Sequence, residues 1–298
     1  MKIKNQIGYY SVLGFDREPF ATSPDPDFFY PSKQHENVLT NLLIELRLKR
    51  GLSVVFGDVG TGKTTLLRKL LHELNKRGDM IFHMILNPAF SGESQFLSSL
   101  VRNFNIELPK NCDLNNSDIM DLRDTIERFL IEKTLEEDRT IILLIDEAQK
   151  LDLSSLETLR VLLNFETNDH KLIQLVLLGQ LELYSKVVNM SNFMDRISFK
   201  FTLNPLDVVE TGELIRFRVE KAGYKGRGKL FLDDAVSEIY NHTKGYPRKI
   251  NMLCHKILKE IVMQNQEIVD SVLVKEVIGK DEEWGLPSSV ASLQKINS

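Results

Sequence analysis

Residues Gly57, Asp58, Val59, Gly60, Thr61, Gly62, Lys63 and Thr64 fit the spacing G-x-x-x-x-G-K-[ST] without a mismatch, and Thr65 follows them. Glycines at these positions let backbone N–H groups turn toward one anion, and a helix beginning at Lys63 adds the positive end of its dipole at the same point. This is the chemistry of a phosphate-binding loop. A lysine so placed reaches the β- and γ-phosphates of a nucleotide, and the Thr64 hydroxyl is a Mg²⁺ ligand. Hydrolysis needs carboxylates as well, and Asp146 and Glu147 supply them directly after the apolar run Thr140 to Ile145. The first suits the Mg²⁺ shell, and the second suits orienting and deprotonating a water. An acidic pair alone is often a solvated strand end; behind a phosphate loop it acquires a role. Gln180, at the end of the next apolar run, can meet the γ-phosphate or the water, or can be a loop amide satisfied by backbone. Arg196 and Arg248 are guanidinium groups able to neutralise charge on phosphate oxygens, although an arginine is most often a surface cation.

Those residues need a scaffold that brings distant stretches together. Leu52–Phe56, Met80–Leu86, Thr140–Ile145 and Leu172–Leu178 read as buried strands, because continuous apolar runs suit a parallel sheet covered on both faces. Between them, residues 35–49, the stretch from Lys63, and Ser94–Phe104, Ile119–Leu135 and Leu156–Phe165 have helical apolar spacing, with a polar turn from Asn111 to Asn116. Alternation of strand and helix makes an α/β parallel sheet the economical fold. From about Leu206 the pattern becomes all-helical, over Thr211–Ala222, Asp233–His242, Arg248–Met263 and Asp270–Gly279. The expected division is an arm and helix over 1–50 packed on the sheet domain, a sheet domain over 51–205, a helical domain over 206–280 and a polar tail over 281–298. In the arm, aromatics alternate with Pro19, Pro24, Pro26 and Pro31, a composition that resists regular structure yet demands burial.

Composition narrows the classes. The 298 residues are 42% hydrophobic and 27% charged, enough for one large or two modest domains with a real core. No apolar run approaches the roughly 20 residues of a membrane span, and the segment MKIKNQIGYYSV lacks a signal-peptide core, so a cytoplasmic location is expected. Cys112 and Cys254 are the only cysteines and sit in no ligand-like cluster, which disfavours a disulfide framework or a cysteine zinc site. A net charge of −4 disfavours a globally basic nucleic-acid binder. The local run KAGYKGRGK from Lys221 to Lys229, with Lys244, Arg248 and Lys249, would favour DNA if it formed one face.

The order GDVGTGKT, LLIDEAQ, LVLLGQLEL, MDRI and GYPRKIN resembles the AAA+ ATPases, specifically the ExeA/GspA-like group of secretion and pilus-biogenesis ATPases. The segments GFDREPFATSPDPDFFYPSKQHENVL and LETLRVLLNFET are similar to that group's signatures, so the resemblance covers about residues 8–265. It implies a P-loop fold with a RecA-like parallel sheet flanked by helices and followed by a small helical lid. It implies ATP and Mg²⁺ as ligands, with Lys63 and Thr64 as the Walker A pair and Asp146 and Glu147 as the Walker B pair. By the same resemblance Gln180 is sensor 1, Arg248 is sensor 2, and Arg196 is an arginine finger acting on a neighbouring subunit. Lys200 stands where a second arginine is common and competes for that role. Asn87 resembles the polar switch residue that restrains the catalytic glutamate. The long members continue into a membrane span and a peptidoglycan-binding domain; this sequence stops before either and resembles the short MshM-type pilus-biogenesis ATPases. The implied partners are further copies in a ring or filament and envelope secretion or pilus components, with peripheral attachment at the inner membrane through them. The competing function is an ATP-switched DNA-binding regulator similar to the TnsC and TniB transposition ATPases.

Overall fold

The computed structural model describes residues 8–108 and 118–285, apart from Thr22, Pro24, Asp169 and Arg227. Cys112, the turn from Asn111 to Asn116 and the tail beyond Gly285 lie outside the described residues. The chain forms two compact units, residues 33–204 and residues 8–32 with 205–285. The second of these opens with a one-turn helix, α1 (Tyr9–Val12).

The first unit runs α2 (Lys33–Arg47), β1 (Leu52–Gly57), α3 (Lys63–Leu74), β2 (Met80–Ile85), α4 (Glu93–Asn103), α5 (Ile119–Ile131), β3 (Thr140–Ile145), α6 (Leu153–Leu162), β4 (Ile173–Gly179), α7 (Leu181–Val188), α8 (Ser191–Met194) and β5 (Ile197–Leu203). Its strands pair in the order β2-β3-β4-β1-β5, all parallel. β1, β3 and β4 are buried along their whole length, which explains why each is an unbroken apolar run. Apolar side chains of α4, α5 and α6, among them Phe96, Leu122 and Leu159, join the strand residues in one core. Because the strands are parallel, their carboxyl ends fall on one edge of the sheet. That edge carries Gly57, Ile85, Ile145 and Gly179, and therefore the residues that follow each of them.

Three elements of this unit are absent from the sequence-based expectation: α7, α8 and β5. β5 is the edge strand beside β1. Its sequence, ISFKFTL, has half-buried Ile197, Phe199 and Phe201 and buried Leu203 alternating with exposed Ser198, Lys200 and Thr202. An edge strand has one wet face, so it shows period 2 in place of the continuous run of the inner strands.

The helical unit contains α9 (Val208–Lys221), α10 (Asp233–Thr243), α11 (Pro247–Met263) and α12 (Ser271–Gly285). Asp207 and Glu210 close a capping box at the start of α9: Glu210 N–H donates to Asp207 Oδ1 at 2.8 Å, and Asp207 N–H donates to Glu210 Oε2 at 3.3 Å. Two expectations are corrected here. The arm is not part of the sheet domain: Phe15, Phe20 and Phe28 are buried in the core of the helical unit with Leu214, Ile215 and Ile250. A buried arginine explains the preference, since Arg218 Nη1 donates to the Pro19 carbonyl at 2.8 Å and its guanidinium lies 5.3 Å from the Phe28 ring centroid. Burial pushes that guanidinium down to about 10. The last helix continues to Gly285, beyond the expected end at Gly279, because the intervening residues Lys280 to Trp284 contain no helix breaker. Cys254 is a fully buried thiol of this core, and burial pushes its pKa up.

Candidate active site

β1 delivers the chain into the loop from Asp58 to Gly62 at the carboxyl edge, and Gly62 caps α3 with φ 102°. A side chain there would be strained, and a Cβ would come within 2.7 Å of His35 Nε2. Lys63 is buried to 6% exposure, with Nζ donating to the carbonyls of Gly57 at 2.6 Å and Asp58 at 2.9 Å. Burial lowers its pKa, opposed by the nearby carboxylates of Glu147, Asp146 and Asp58. An ammonium held only by carbonyls in a low-dielectric cleft is poised to exchange them for an anion. Thr65 follows in the first turn of α3, and Val59 stands exposed at the loop's outer bend.

β3 lies one strand away from β1, across β4, and brings Asp146 to the same edge. Asp146 is 2% exposed; its Oδ2 accepts from Thr64 Oγ1 at 2.6 Å and its Oδ1 from the N–H of Glu147 at 2.9 Å. Burial pushes its carboxyl up, partly countered by the Thr64 hydroxyl. Two adjoining hard oxygen donors of this kind fit a Mg²⁺ ion, which takes one or two protein oxygens and fills its shell from phosphate and water. A cation there would also relieve the cost of ionising a buried carboxylate.

Glu147 adopts the left-handed conformation, φ 53° and ψ 35°. Its Oε2 accepts from Gln149 Nε2 at 2.7 Å. The other end of the same amide, Gln149 Oε1, accepts the N–H of Gln180 at 3.0 Å. Asn87, beyond the end of β2, does not reach Glu147 directly; its Oδ1 accepts from Lys150 Nζ at 3.2 Å, and that Nζ is 4.0 Å from Glu147 Oε2. The direct restraint on Glu147 is thus Gln149, a residue present in LLIDEAQ that motif spacing alone does not single out.

Gln180 sits at the N-terminus of α7 on the same edge. Arg196 does not join the cluster. It precedes β5, whose register sets Ile197 beside Leu52 and Leu203 beside Gly57, so Arg196 lies at the opposite end of the sheet from the loop. Lys200 is exposed midway along β5. Arg248 lies exposed in the first turn of α11, in the helical unit. There Gly245, of the sequence GYPR, is in close backbone contact with Leu206, whose N–H donates to its carbonyl at 2.9 Å. A Cβ at Gly245 would stand 1.8 Å from the Leu206 carbonyl oxygen, so glycine is required.

His35 is the other residue that sequence reasoning passed over, because it reads as one polar position in the first turn of α2. It is 4% exposed and its Nε2 lies 3.1 Å from the Thr61 carbonyl, which requires the proton on Nε2. In a trans peptide the N–H of Gly62 then points away from His35. Burial lowers the His35 pKa from 6.5, with the Thr61 contact opposing. Above pH 6.5 the ring is neutral in both folded and unfolded chains; as pH falls through that value only the unfolded chain takes up the proton, so stability is lost on the acid side. His83 and His255 shift in the same direction. Thermal unfolding from pH 7.5 to pH 5.5 should therefore show a falling midpoint, and His35→Gln should flatten part of that slope; an unchanged slope in the variant would contradict the assignment.

Residues 46–187 match the AAA domain family. The chain is 32% identical to general secretion pathway protein A of Aeromonas hydrophila over 252 residues, covering 84% of this chain and 44% of that protein. The chain thus spans less than half the length of this curated relative. The fold is similar to the ORC2 protein of Aeropyrum pernix, solved with ADPNP and ADP, at a TM-score of 0.62 and 17% identity, over 89% of this chain and 71% of that one. It is also similar to the RuvB Holliday-junction branch-migration motor of Thermotoga maritima, at a TM-score of 0.54 and 17% identity, over 82% and 68%.

Proposed function

The chain belongs to the AAA ATPases related to general secretion pathway protein A, and from that premise we propose that it binds Mg²⁺–ATP at the carboxyl edge of β1 and β3 and hydrolyses the γ-phosphate. The observation that carries this reading is the 2.6 Å contact between Thr64 Oγ1 and Asp146 Oδ2 beside a buried Lys63. In the proposed cycle Lys63 Nζ leaves the Gly57 and Asp58 carbonyls for the phosphates, and the loop N–H groups bind the β-phosphate oxygens. Thr64 and Asp146 would hold Mg²⁺, which would supply charge neutralisation to the phosphates. Glu147 orients the attacking water and takes its proton, and Gln180 contacts the γ-phosphate or that water.

We assign the load of this ATPase to a secretion or pilus-type envelope machine, by its similarity to general secretion pathway protein A. Attachment at the inner membrane would be peripheral and through partners; among the described residues no helix is long and apolar enough to cross a membrane. A DNA regulator is less favoured, because two lysines of the basic segment are already neutralised: Lys225 Nζ lies 2.6 Å from Asp16 and Lys229 Nζ 2.9 Å from Asp233. Absence of a salt-dependent DNA mobility shift at low salt with ATP would remove that reading.

The test is Mg²⁺-dependent ATP binding and turnover by the wild type and by Lys63→Ala. Removing one charge-assisted contact to phosphate should weaken nucleotide binding by about a hundredfold, on the scale of hydrogen bonds to charged groups. Wild-type affinity in Lys63→Ala would overturn the assignment of the cradle.

A further inference from the structure

Gln149 is placed between two groups that the cycle above treats as separate. Its amide nitrogen donates to Glu147 Oε2 at 2.7 Å and its amide oxygen accepts the N–H of Gln180 at 3.0 Å. Both contacts fix the same amide orientation, since a carboxylate must face the NH₂ and an N–H must face the oxygen. The turn that carries Gln149, residues Ala148–Lys150, is tied a second time to α7: Lys186 Nζ donates to the carbonyls of Gln149 at 2.5 Å and Leu151 at 2.8 Å. There is no slack on the Gly179 side either, where an added Cβ would meet Gln149 Oε1 at 3.3 Å. The β4–α7 junction and the carboxylate of Glu147 are therefore two ends of one short hydrogen-bonded unit.

We propose that Gln149 is a positioning residue that sets the direction of the Glu147 carboxylate according to the position of the β4–α7 junction. It touches neither the phosphates nor the water. A displacement of the Gln180 N–H pulls on Oε1, and the rigid amide transmits it to Oε2 of Glu147 two hydrogen bonds away. Engaging Oε2 leaves Oε1 of Glu147 as the oxygen that faces the water, so one lone pair direction is selected. Left-handed backbone at Glu147 does not by itself orient the carboxylate, because three side-chain torsions intervene. This inference rests on the proposed role of Glu147 as the base.

The test compares Gln149→Leu, which keeps volume and loses both polar contacts, with Gln149→Glu, Glu147→Gln and the double variant Glu147→Gln/Gln149→Leu. ATP turnover, KM and the affinity for a non-hydrolysable analogue are measured with Mg²⁺, alongside thermal unfolding. Gln149→Leu is expected to lower kcat about tenfold to a hundredfold, the effect of one hydrogen bond to a charged group, with analogue affinity within about twofold of wild type. Gln149→Glu keeps an acceptor for Gln180 but sets a second carboxylate against Glu147, and should be no faster than Gln149→Leu at pH 8. The double variant should be no slower than Glu147→Gln alone, because a residue that acts only through Glu147 has nothing left to position. Wild-type kcat in Gln149→Leu, or a further full loss in the double variant, would overturn the inference. A loss in kcat matched by a loss in analogue affinity would overturn it too, as the mark of a merely structural role. If Glu147→Gln itself turns over at the wild-type rate, it is the assignment of the base that fails.

Discussion

Glu147→Gln is expected to bind Mg²⁺–ATP with wild-type affinity and to turn it over about a hundredfold to ten-thousandfold more slowly, the usual scale of general-base loss. The structure separates the two carboxylates by environment. Both oxygens of Asp146 are engaged, one by Thr64 and one by backbone, and the side chain is buried. Glu147, whose side chain is 33% exposed, has the access to solvent that a water-activating group needs. The rise in the Asp146 pKa does not make it the better base, because its cause is burial, only partly countered by the Thr64 hydroxyl and the Lys63 charge, and Mg²⁺ beside Thr64 would hold the group ionised and coordinated. An amide at position 147 preserves shape and hydrogen-bonding capacity and removes the proton acceptor. Steady-state hydrolysis and equilibrium nucleotide binding check the two halves of the expectation. Unchanged turnover would move the base to another residue.

The inner part of this site was legible in the sequence for a physical reason. Strands buried on both faces leave long apolar runs, and a phosphate cradle admits few residue types, so β1 with its loop and β3 with Asp146 and Glu147 stand out without any alignment. What was missed lies where one face is wet or where a polar residue acts through geometry. β5 was hidden because Ser198, Lys200 and Thr202 interrupt its apolar face, although its strict alternation was available as a signal. His35 and Gln149 look like ordinary polar positions on a helix and in a turn; only the distances to Thr61 and Glu147 give them a part in the site. The arm was misassigned because its aromatics announce burial but not against which surface, and the buried Arg218 that receives them lies about two hundred residues away along the chain.

Arg196→Ala is expected to keep ATP binding and lose about a thousandfold in hydrolysis, the effect of an arginine supplied in trans in other phosphoryl transfers. The strand register gives the argument its form. Arg196 is separated from the phosphate loop of its own unit by the length of β5, about 20 Å at 3.3 Å per residue, so it has no access to the nucleotide that this loop would hold. A catalytic role therefore requires a second copy. Its Nε donates to the Asn192 carbonyl at 3.2 Å, and the carboxyl of Glu157, held low mainly by its hydrogen bonds from Arg160, is lowered further by Arg196. Those contacts define the competing explanation, a half-buried surface anchor worth at most about 1 kcal/mol. The two diverge in solution. A shared site makes specific activity rise with protein concentration, and mixing Arg196→Ala with Lys63→Ala should recover activity wherever an intact loop meets an intact Arg196. Lys200→Ala in the same mixture distinguishes the two cations, since only the variant lacking the acting one should require rescue. An anchor predicts activity independent of concentration and no recovery, and that pair of results would assign the protein's hydrolysis to single copies.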